Sequence, residues 1–238
     1  MTEWFEEWFG EEYLQLYPHR DDADAQQAIR LVLSVTGFVP GWRVLDVACG
    51  AGRHARALRR AGARCVGVDL SAALLRIARG VTDAPLVRAD MRELPVRPGS
   101  MDLTVNLFTS FGYFDREADH ARALGEMVGT LRRSGWFVID FLNPVAVRRD
   151  LVPAERVALG GREVDIRREL SADGHHVTKT IRTGDGRRFC ERVRLFEPDE
   201  IERMLAEAGI VVRRRLGDYG GAPLVAGSPR TILAGQRE

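Results

Sequence analysis

The sequence predicts an α/β fold built on a mostly parallel sheet with helices on both faces. Between residues 37 and 147, short apolar runs alternate with amphipathic segments, as in a parallel sheet covered on both sides. The first apolar run ends in the glycine-containing turn "DVACGAGRHA", which is typical of a strand–helix turn that approaches a ligand. A chain of 238 residues, 45% of them hydrophobic, is long enough for one such domain with an insertion.

The predicted elements follow one another along the chain. Residues 1–20 form a short amphipathic segment with aromatic residues at helical spacing, and a helix over 22–36 ends at Gly37. The predicted strands are "RVLDVA", "RCVGVDL", "APLVRAD", "MDLTVNLF" and "GWFVIDFL". Helices follow the first two strands, and another spans 115–131. This alternation places the carboxyl ends of the strands along one edge of the sheet.

After Pro144 the pattern changes to alternating polar and apolar residues, interrupted by "GG", "ADG" and "GDG". These are hairpin signals, and they predict three or four antiparallel strands between about 155 and 196. A helix over 198–209 and two closing strands complete the chain.

The sequence therefore divides into three parts. We expect an N-terminal helical cap over 1–36, a core formed by 37–147 and 197–238, and an antiparallel β insertion over 148–196.

Composition restricts the classes of function. The chain has 35 basic and 34 acidic residues, and the balance argues against a nucleic-acid partner. Its three cysteines show no CxxC spacing, so we expect no metal site and a reducing, cytoplasmic location. The acidic, aromatic N-terminus lacks the features of a signal peptide, and no run approaches ~18 apolar residues. We expect no membrane association.

Acidic residues end three successive predicted strands: Asp46, Asp69 and Asp90. The turn "GAGRHA" also fits the dinucleotide fingerprint. A carboxylate at Asp46 would repel a pyrophosphate and attract a cation, such as the amino group or sulfonium of S-adenosylmethionine (SAM). Asp69 can accept from ribose hydroxyls, which fits NAD equally well. Asp90 can accept from an adenine amine while Met91 packs on the ring. Together the three acids favour SAM.

With the aromatic loop "NLFTSFGYF", these motifs resemble class I SAM-dependent methyltransferases of the small-molecule type with a β-hairpin insertion. The resemblance is strong over residues 40–145 and moderate over the two closing strands. It implies a Rossmann-like seven-stranded sheet whose last strand is antiparallel. The family turn usually has three glycines, and here Ala48 stands in the first place.

The resemblance also implies a set of cofactor contacts. The methionine half of SAM would be lined by Asp46, Ala48 and Gly50, the ribose by Asp69, and the adenine by Asp90 and Met91. Leu70 and Leu107 are expected beside them. The segment "YLQLYPHRD" resembles the cap of some family members, which makes Tyr17 and Arg20 candidates for closing over SAM, or simply parts of a docking helix.

The sequence indicates less about the methyl acceptor than about the cofactor. A general base is needed only when the acceptor arrives protonated, and His54 and Tyr113 are the candidate catalytic residues. A structural role competes for His54, as for His120, His175 and His176. Expected substrate contacts are Phe108, Phe111, Tyr113 and Asn143, although Asn143 could instead cap a turn before Pro144.

The leading hypothesis is methyl transfer from SAM to N or O of a small molecule, with S-adenosylhomocysteine (SAH) as product. The alternatives are an NAD-dependent oxidoreductase and a non-catalytic SAM-binding protein. Asp46 argues against the oxidoreductase, as does the only lysine, Lys179, which lies in the insertion. The many arginines of the insertion fit a solvated face, and the resemblance implies that such insertions cover substrate or form a homodimer.

Overall fold

The computed structural model of the protein describes residues 3–10, 22–159 and 161–238, with the backbone alone for Glu6, Glu7 and Leu159. Tyr17 and Arg20 lie outside the described residues. The described helices are α1 (Trp4–Trp8), α2 (Asp22–Thr36), α3 (Arg53–Arg60), α4 (Ala72–Val81), α5 (Glu117–Gly129), α6 (Pro144–Asp150) and α7 (Pro198–Glu207).

The larger sheet has seven strands. They are β1 (Arg43–Val47), β2 (Arg64–Asp69), β3 (Leu86–Arg88), β4 (Met101–Asn106), β5 (Leu131–Leu142), β10 (Ile210–Leu216) and β11 (Arg230–Arg237). Their order is β10-β11-β5-β4-β1-β2-β3, and β11 runs antiparallel to both of its neighbours. The predicted α/β fold is confirmed, including the antiparallel last strand. Strand order reverses between β1 and β4, the position where open α/β sheets bind ligands.

A second sheet is antiparallel throughout. Its strands are β6 (Ala154–Leu159), β7 (Arg162–Leu170), β8 (His176–Thr183) and β9 (Arg188–Arg194), in that order. This sheet lies within the insertion expected over 148–196. It has four strands, the larger of the two numbers expected from the sequence.

Some predicted boundaries are wrong. The helix expected over 115–131 ends at Gly129, and β5 begins at Leu131 rather than near Gly135. The helix expected over 198–209 ends at Glu207. The sequence reasoning also missed α6, which Asn143 caps through its side chain and Pro144 begins at a position where proline is favoured.

Two apolar layers cover the larger sheet, one on each face. One contains Leu45, Phe137 and Ile139 with residues of α5 and α7, and the other contains Val44, Leu103 and residues of α2 and α3. Because β1 and the second half of β5 are buried on both faces, apolar residues follow one another in "VL" of β1 and "WFVI" of β5. A polar side chain at a strand end therefore stands out in these sequences.

A third, smaller cluster joins α1 to the second sheet. Trp8, only 4% exposed, packs with Val164, Ile166 and Ile181, and its ring centroid lies 4.8 Å from that of Phe189. Short helix α1 is thereby held between the second sheet and the edge of the larger sheet where the strands β1–β4 end.

Candidate cofactor and acceptor site

A cavity of about 450 Å³ lies at the carboxyl ends of β1–β4, within the size range of small-molecule sites. Most sequence-predicted site residues line it: Ala48, Gly50, His54, Asp69, Leu70, Asp90, Met91, Leu107, Phe108, Phe111 and Tyr113. Asp46 and Asn143 are not among the lining residues. The structure thus brings together predicted residues from four strand ends.

The turn after β1 approaches the cavity with an unusual backbone. Ala48, Gly50 and Gly52 all have left-handed conformations, with φ of 58°, 55° and 82°. A Cβ added at Gly50 would meet only the tip of Leu74, at 4.0 Å, so the cavity side of Gly50 is open. Since glycine adopts positive φ without steric cost, these glycines allow backbone to lie beside a ligand.

Asp69 holds this turn in place and can still accept hydrogen bonds from a ligand. Its two carboxylate oxygens accept from the backbone amides of Gly50 and Ser71, both at 2.8 Å. Burial raises the pKa of Asp69, and these two amides oppose the rise. Each oxygen retains a lone pair, so the carboxylate can accept from two neighbouring hydroxyls.

Asp46 lies beneath the turn rather than on the cavity wall. Its side chain is 1% exposed, and Oδ2 has no hydrogen-bond partner among the described residues. Burial and then the charge of Asp69 raise the pKa of Asp46 to about 7, while a hydrogen bond from the Ala55 amide opposes the rise. A buried carboxylate with one unpartnered oxygen favours a nearby cation.

Arg92, which the sequence reasoning missed, joins the third strand end to α1. Its guanidinium donates to both oxygens of Asp90 and to both oxygens of Glu3. Burial alone would raise the pKa of Asp90, but Arg92 lowers it on balance. Arg92 also lies 4.6 Å from the Phe114 ring centroid. In the sequence, this pairing was indicated by the close spacing of Asp90 and Arg92 in "ADMR".

Helix α1 and the residue after it close one side of the cavity. Phe5 and Phe9 line it, and the Tyr113 ring lies 5.3 Å from Trp4 and 5.5 Å from Phe9 between centroids. The Ser71 hydroxyl donates to the Phe9 carbonyl at 2.5 Å. The aromatic N-terminal segment therefore forms part of the site.

The two candidate bases have different surroundings. His54 is 6% exposed, and burial, followed by the charges of Arg53 and Arg230, lowers its pKa to about 3. It is therefore neutral at neutral pH and a weak base. The Tyr113 hydroxyl donates to the Thr109 carbonyl at 2.6 Å. Both side chains can still hydrogen-bond a ligand through their remaining acceptor atoms.

Two other candidates lie away from the cavity. His120 is buried among the rings of Phe111, Phe114 and Phe196, at 5.0–5.4 Å between centroids, and burial lowers its pKa to about 4. Asn143 takes the capping role that the sequence also allowed. Its Oδ1 accepts from the Val145 amide, and its Nδ2 donates to the Ala226 and Ser228 carbonyls.

A polar group missed in the sequence lies behind the loop that follows β4. Asp140, fully buried on β5, accepts from the Phe108 amide at 2.9 Å and from the Tyr219 hydroxyl at 2.6 Å, and it forms an ion pair with Arg230. An acid near the end of the apolar run "WFVIDFL" was the available signal, the same one that identified Asp69.

Residues 45–139 match the family described as methyltransferase domain. A dTDP-3-amino-3,6-dideoxy-α-D-glucopyranose N,N-dimethyltransferase of Streptomyces fradiae is 29% identical over 221 residues, covering 89% of this chain and 84% of that protein. An uncharacterized protein of Methanocaldococcus jannaschii is 26% identical over 169 residues, 71% of this chain but only 61% of its own length.

Among solved structures, the CcbJ methyltransferase of Streptomyces caelestis superposes with a TM-score of 0.81 at 19% identity. The alignment covers 96% of this chain and 97% of that one, and it shows a shared fold. The glycine turn and the strand-end acids lie within the stretch that matches a methyltransferase domain, and the whole chain shares the fold of a solved methyltransferase. The methyl donor expected from the sequence resemblance is SAM, and one solved structure with this fold, the glycopeptide N-methyltransferase MtfA, is complexed with sinefungin.

The residues present fit SAM. The open side of Gly50 gives backbone access, the remaining acceptor sites of Asp69 suit a pair of ribose hydroxyls, and Leu70 and Met91 supply an apolar wall. The unpartnered oxygen of Asp46 lies beneath the same turn and suits the cationic half of the cofactor.

Among the described residues, no group of three or more His, Cys, Asp or Glu is placed to hold a metal ion. Within the same part of the chain, the helices lack the length and apolarity needed to cross a membrane.

Proposed function

We propose that this chain transfers the methyl group of SAM to the amino nitrogen of a small-molecule acceptor. The observation that carries the proposal is the state of the two candidate bases. His54, with a pKa near 3, binds a proton too weakly to deprotonate a hydroxyl, and the Tyr113 hydroxyl already donates to a carbonyl. A neutral amine needs no base to attack a methyl group.

In this proposal the chain acts mainly by placing two molecules. SAM supplies an activated methyl group when bound. Asp46 and Asp69 attract the cationic and ribose parts of the donor, and Asp90 and Met91 hold the adenine end. Phe108, Phe111 and Tyr113 form the acceptor wall and exclude water. Holding the nucleophile in line with the methyl group contributes most of the rate.

The relative from Streptomyces fradiae supports the proposal, because its name describes the N,N-dimethylation of an amino sugar. The near-neutral balance of 35 basic and 34 acidic residues also fits a small-molecule acceptor better than a nucleic acid.

The test uses pairs of acceptors that share one scaffold and differ only in bearing an amine or a hydroxyl. Release of SAH is followed from pH 6 to 10. We expect the amine to be methylated at least about 100-fold faster, with kcat/KM rising with pH up to the amine's own pKa and then levelling. Faster turnover of the hydroxyl partner, with a pKa that belongs to the enzyme, would overturn the proposal.

Location and assembly belong to the same proposal. All three cysteines are free, which supports a reducing compartment such as the cytoplasm. The outer face of the second sheet carries arginines such as Arg156, Arg182 and Arg188, and a homodimer through this sheet stays a prediction from the family resemblance.

A further inference from the structure

The acceptor wall begins with two consecutive residues in a left-handed conformation. Phe108 and Thr109 have φ of 62° and 61°, although neither is glycine. This region is unfavourable for L-residues, and it is least favourable for a β-branched residue such as threonine. Such a bend persists only where surrounding groups hold it, and bends of this kind concentrate at functional sites.

Asp140 supplies the groups that hold this bend. One carboxylate oxygen accepts from the Phe108 amide at 2.9 Å, and the Asp140 backbone carbonyl accepts from the Thr109 amide at 3.0 Å. Arg230 pairs with the other carboxylate oxygen and donates to the Thr109 hydroxyl at 3.0 Å. Asp140 thus binds both residues of the bend directly and Thr109 a second time through Arg230.

The larger sheet fixes this arrangement. Asp140 on β5 pairs with Ile232 on β11, and Arg230 pairs with Leu142, so the acid and the arginine are diagonal neighbours on one face. The Tyr219 hydroxyl donates to Asp140 at 2.6 Å from the loop between β10 and β11. Buried carboxylates are stable when several donors satisfy them.

We propose that Asp140, with Arg230 and Tyr219, is a positioning group that holds the Phe108–Thr109 bend and thereby places the acceptor wall. The Phe108 ring lies 5.6 Å from the Arg53 guanidinium and 5.4 Å from that of Arg230, measured from the ring centroid. Loss of the positioning group lets this ring move while the turn after β1 stays in place. The inference rests on the proposed function, because it assigns the wall to the acceptor.

The test measures amide hydrogen exchange of a peptide covering 107–113 in the full chain. The variants are Asp140→Asn and the milder Tyr219→Phe, which removes one hydroxyl and leaves the ring. Each is combined with Thr109→Gly or with Thr109→Ala. Both changes remove the threonine hydroxyl, but only glycine relieves the left-handed conformation.

A second pair of variants controls for general effects on stability. Ser134, at the other end of β5, is also left-handed, with φ of 59°. Ser134→Gly and Ser134→Ala therefore make the same change of backbone preference far from the wall.

We expect Tyr219→Phe and Asp140→Asn to speed exchange of the 107–113 peptide at least tenfold, with peptides from β1 and β2 unchanged. In either background, Thr109→Gly should slow this exchange at least threefold relative to Thr109→Ala, and the Ser134 variants should not alter it. With the acceptor amine, the positioning variants should raise KM more than they lower kcat. A purely structural defect would not respond to the choice between glycine and alanine at position 109.

Unchanged exchange in Tyr219→Phe, or equal exchange for Thr109→Gly and Thr109→Ala in its background, would overturn the inference. SAH titration separates this failure from failure of the proposed function. The positioning variants should bind SAH within threefold of the original chain, whereas an original chain that does not bind SAH would refute the methyltransferase assignment and leave the exchange result intact.

Discussion

Ala48 carries a left-handed backbone at the first position of the turn after β1. A family member with glycine there would adopt this conformation without strain, whereas an L-residue is disfavoured by roughly 1–2 kcal/mol. Alanine is tolerated because its single methyl group is small. The turn therefore requires a left-handed backbone at position 48, and it does not require glycine there.

Replacing Ala48 by glycine should therefore stabilise the protein. We expect Ala48→Gly to raise the free energy of unfolding by about 1 kcal/mol, since relief of the strain exceeds the extra entropy of the unfolded chain. Urea denaturation with an unchanged m-value is the measurement. Ala51→Gly is the matched control, because Ala51 is outside the positive-φ residues, and this variant should lower stability. Equal destabilisation by both substitutions would contradict the account.

Because the pKa of Asp46 is raised, we predict that cofactor binding depends on pH. Its pKa of about 7 means that the carboxyl is largely protonated below pH 7 in the free protein. A cationic ligand binds better to the carboxylate, so affinity should rise about tenfold between pH 6 and pH 8 and level above it. Calorimetry of SAH binding in buffers of different ionisation enthalpy should also show proton release.

Asp46→Asn is the control for this prediction, and it should bind SAH with little pH dependence over that range. Retention of the original pH dependence in this variant would assign the titration to another group. The same raised pKa also affects the stability of the fold, which falls with pH where cofactor affinity rises. Because the folded pKa lies above the ordinary value of 3.8, the contribution of Asp46 to stability is greatest below about pH 4 and is lost as pH rises to 7.

The sequence could identify Asp69 because it ends a strand two residues before the helix-capping Ser71, a local pattern. Arg230 and Tyr219 offered no such pattern, because they lie 90 and 79 residues after Asp140 and reach it only through the pairing of β5 with β11 and the loop before β11. For Asn143 the sequence left two roles open, because capping and ligand binding use the same amide side chain and local sequence does not distinguish the two.

Among the elements, the strands of the larger sheet were predictable and some helix ends were not. Buried strands are rich in apolar residues, and glycines or acids mark their ends. The transition from α5 to β5 was missed because apolar residues such as Met127 and Leu131 suit either element. Helix α6 was missed because its seven residues are too few to show a helical period.

Helix α1 is the element whose role depends most on tertiary packing. Its five residues could not form a stable helix alone. Trp8 docks it on the second sheet, and Arg92 links Glu3, just before it, to the third strand end. The helix therefore connects the insertion to the cavity, and its detachment should open the cavity without unfolding the larger sheet.

Trp8→Ala tests this connection. Truncating a buried tryptophan costs about 3–5 kcal/mol of local packing, so we expect α1 to detach and SAH to dissociate at least about tenfold faster in a stopped-flow displacement experiment. Trp42→Ala is the control, since Trp42 packs with Phe38 beside the apolar layer that contains α2 and α3. Equal dissociation rates for Trp8→Ala and the original chain would contradict a closing role for α1.

At the scale of the whole molecule, the strand ends of the larger sheet line the cavity, and the second sheet holds α1, which closes one side of it. Gly112 shows how close the two parts lie, because its carbonyl accepts from the Arg194 amide at 2.8 Å, and a Cβ on it would lie 2.9 Å from the Arg194 carbonyl. Such a contact between distant segments could not be predicted from local pattern. For this reason the local pattern indicated the residues at the strand ends but not the contacts that the second sheet makes with the loop after β4.

The central claim is that the cavity at the strand ends binds SAM through Asp69 and the turn after β1. The most direct test is calorimetric titration of the full chain with SAH, with NADH in a parallel cell and Asp69→Ala as the matched variant. We predict micromolar binding of SAH, no binding of NADH, and a loss of about 1–3 kcal/mol of SAH binding free energy in the variant. Binding of NADH without SAH, or unchanged SAH affinity in Asp69→Ala, would contradict the account.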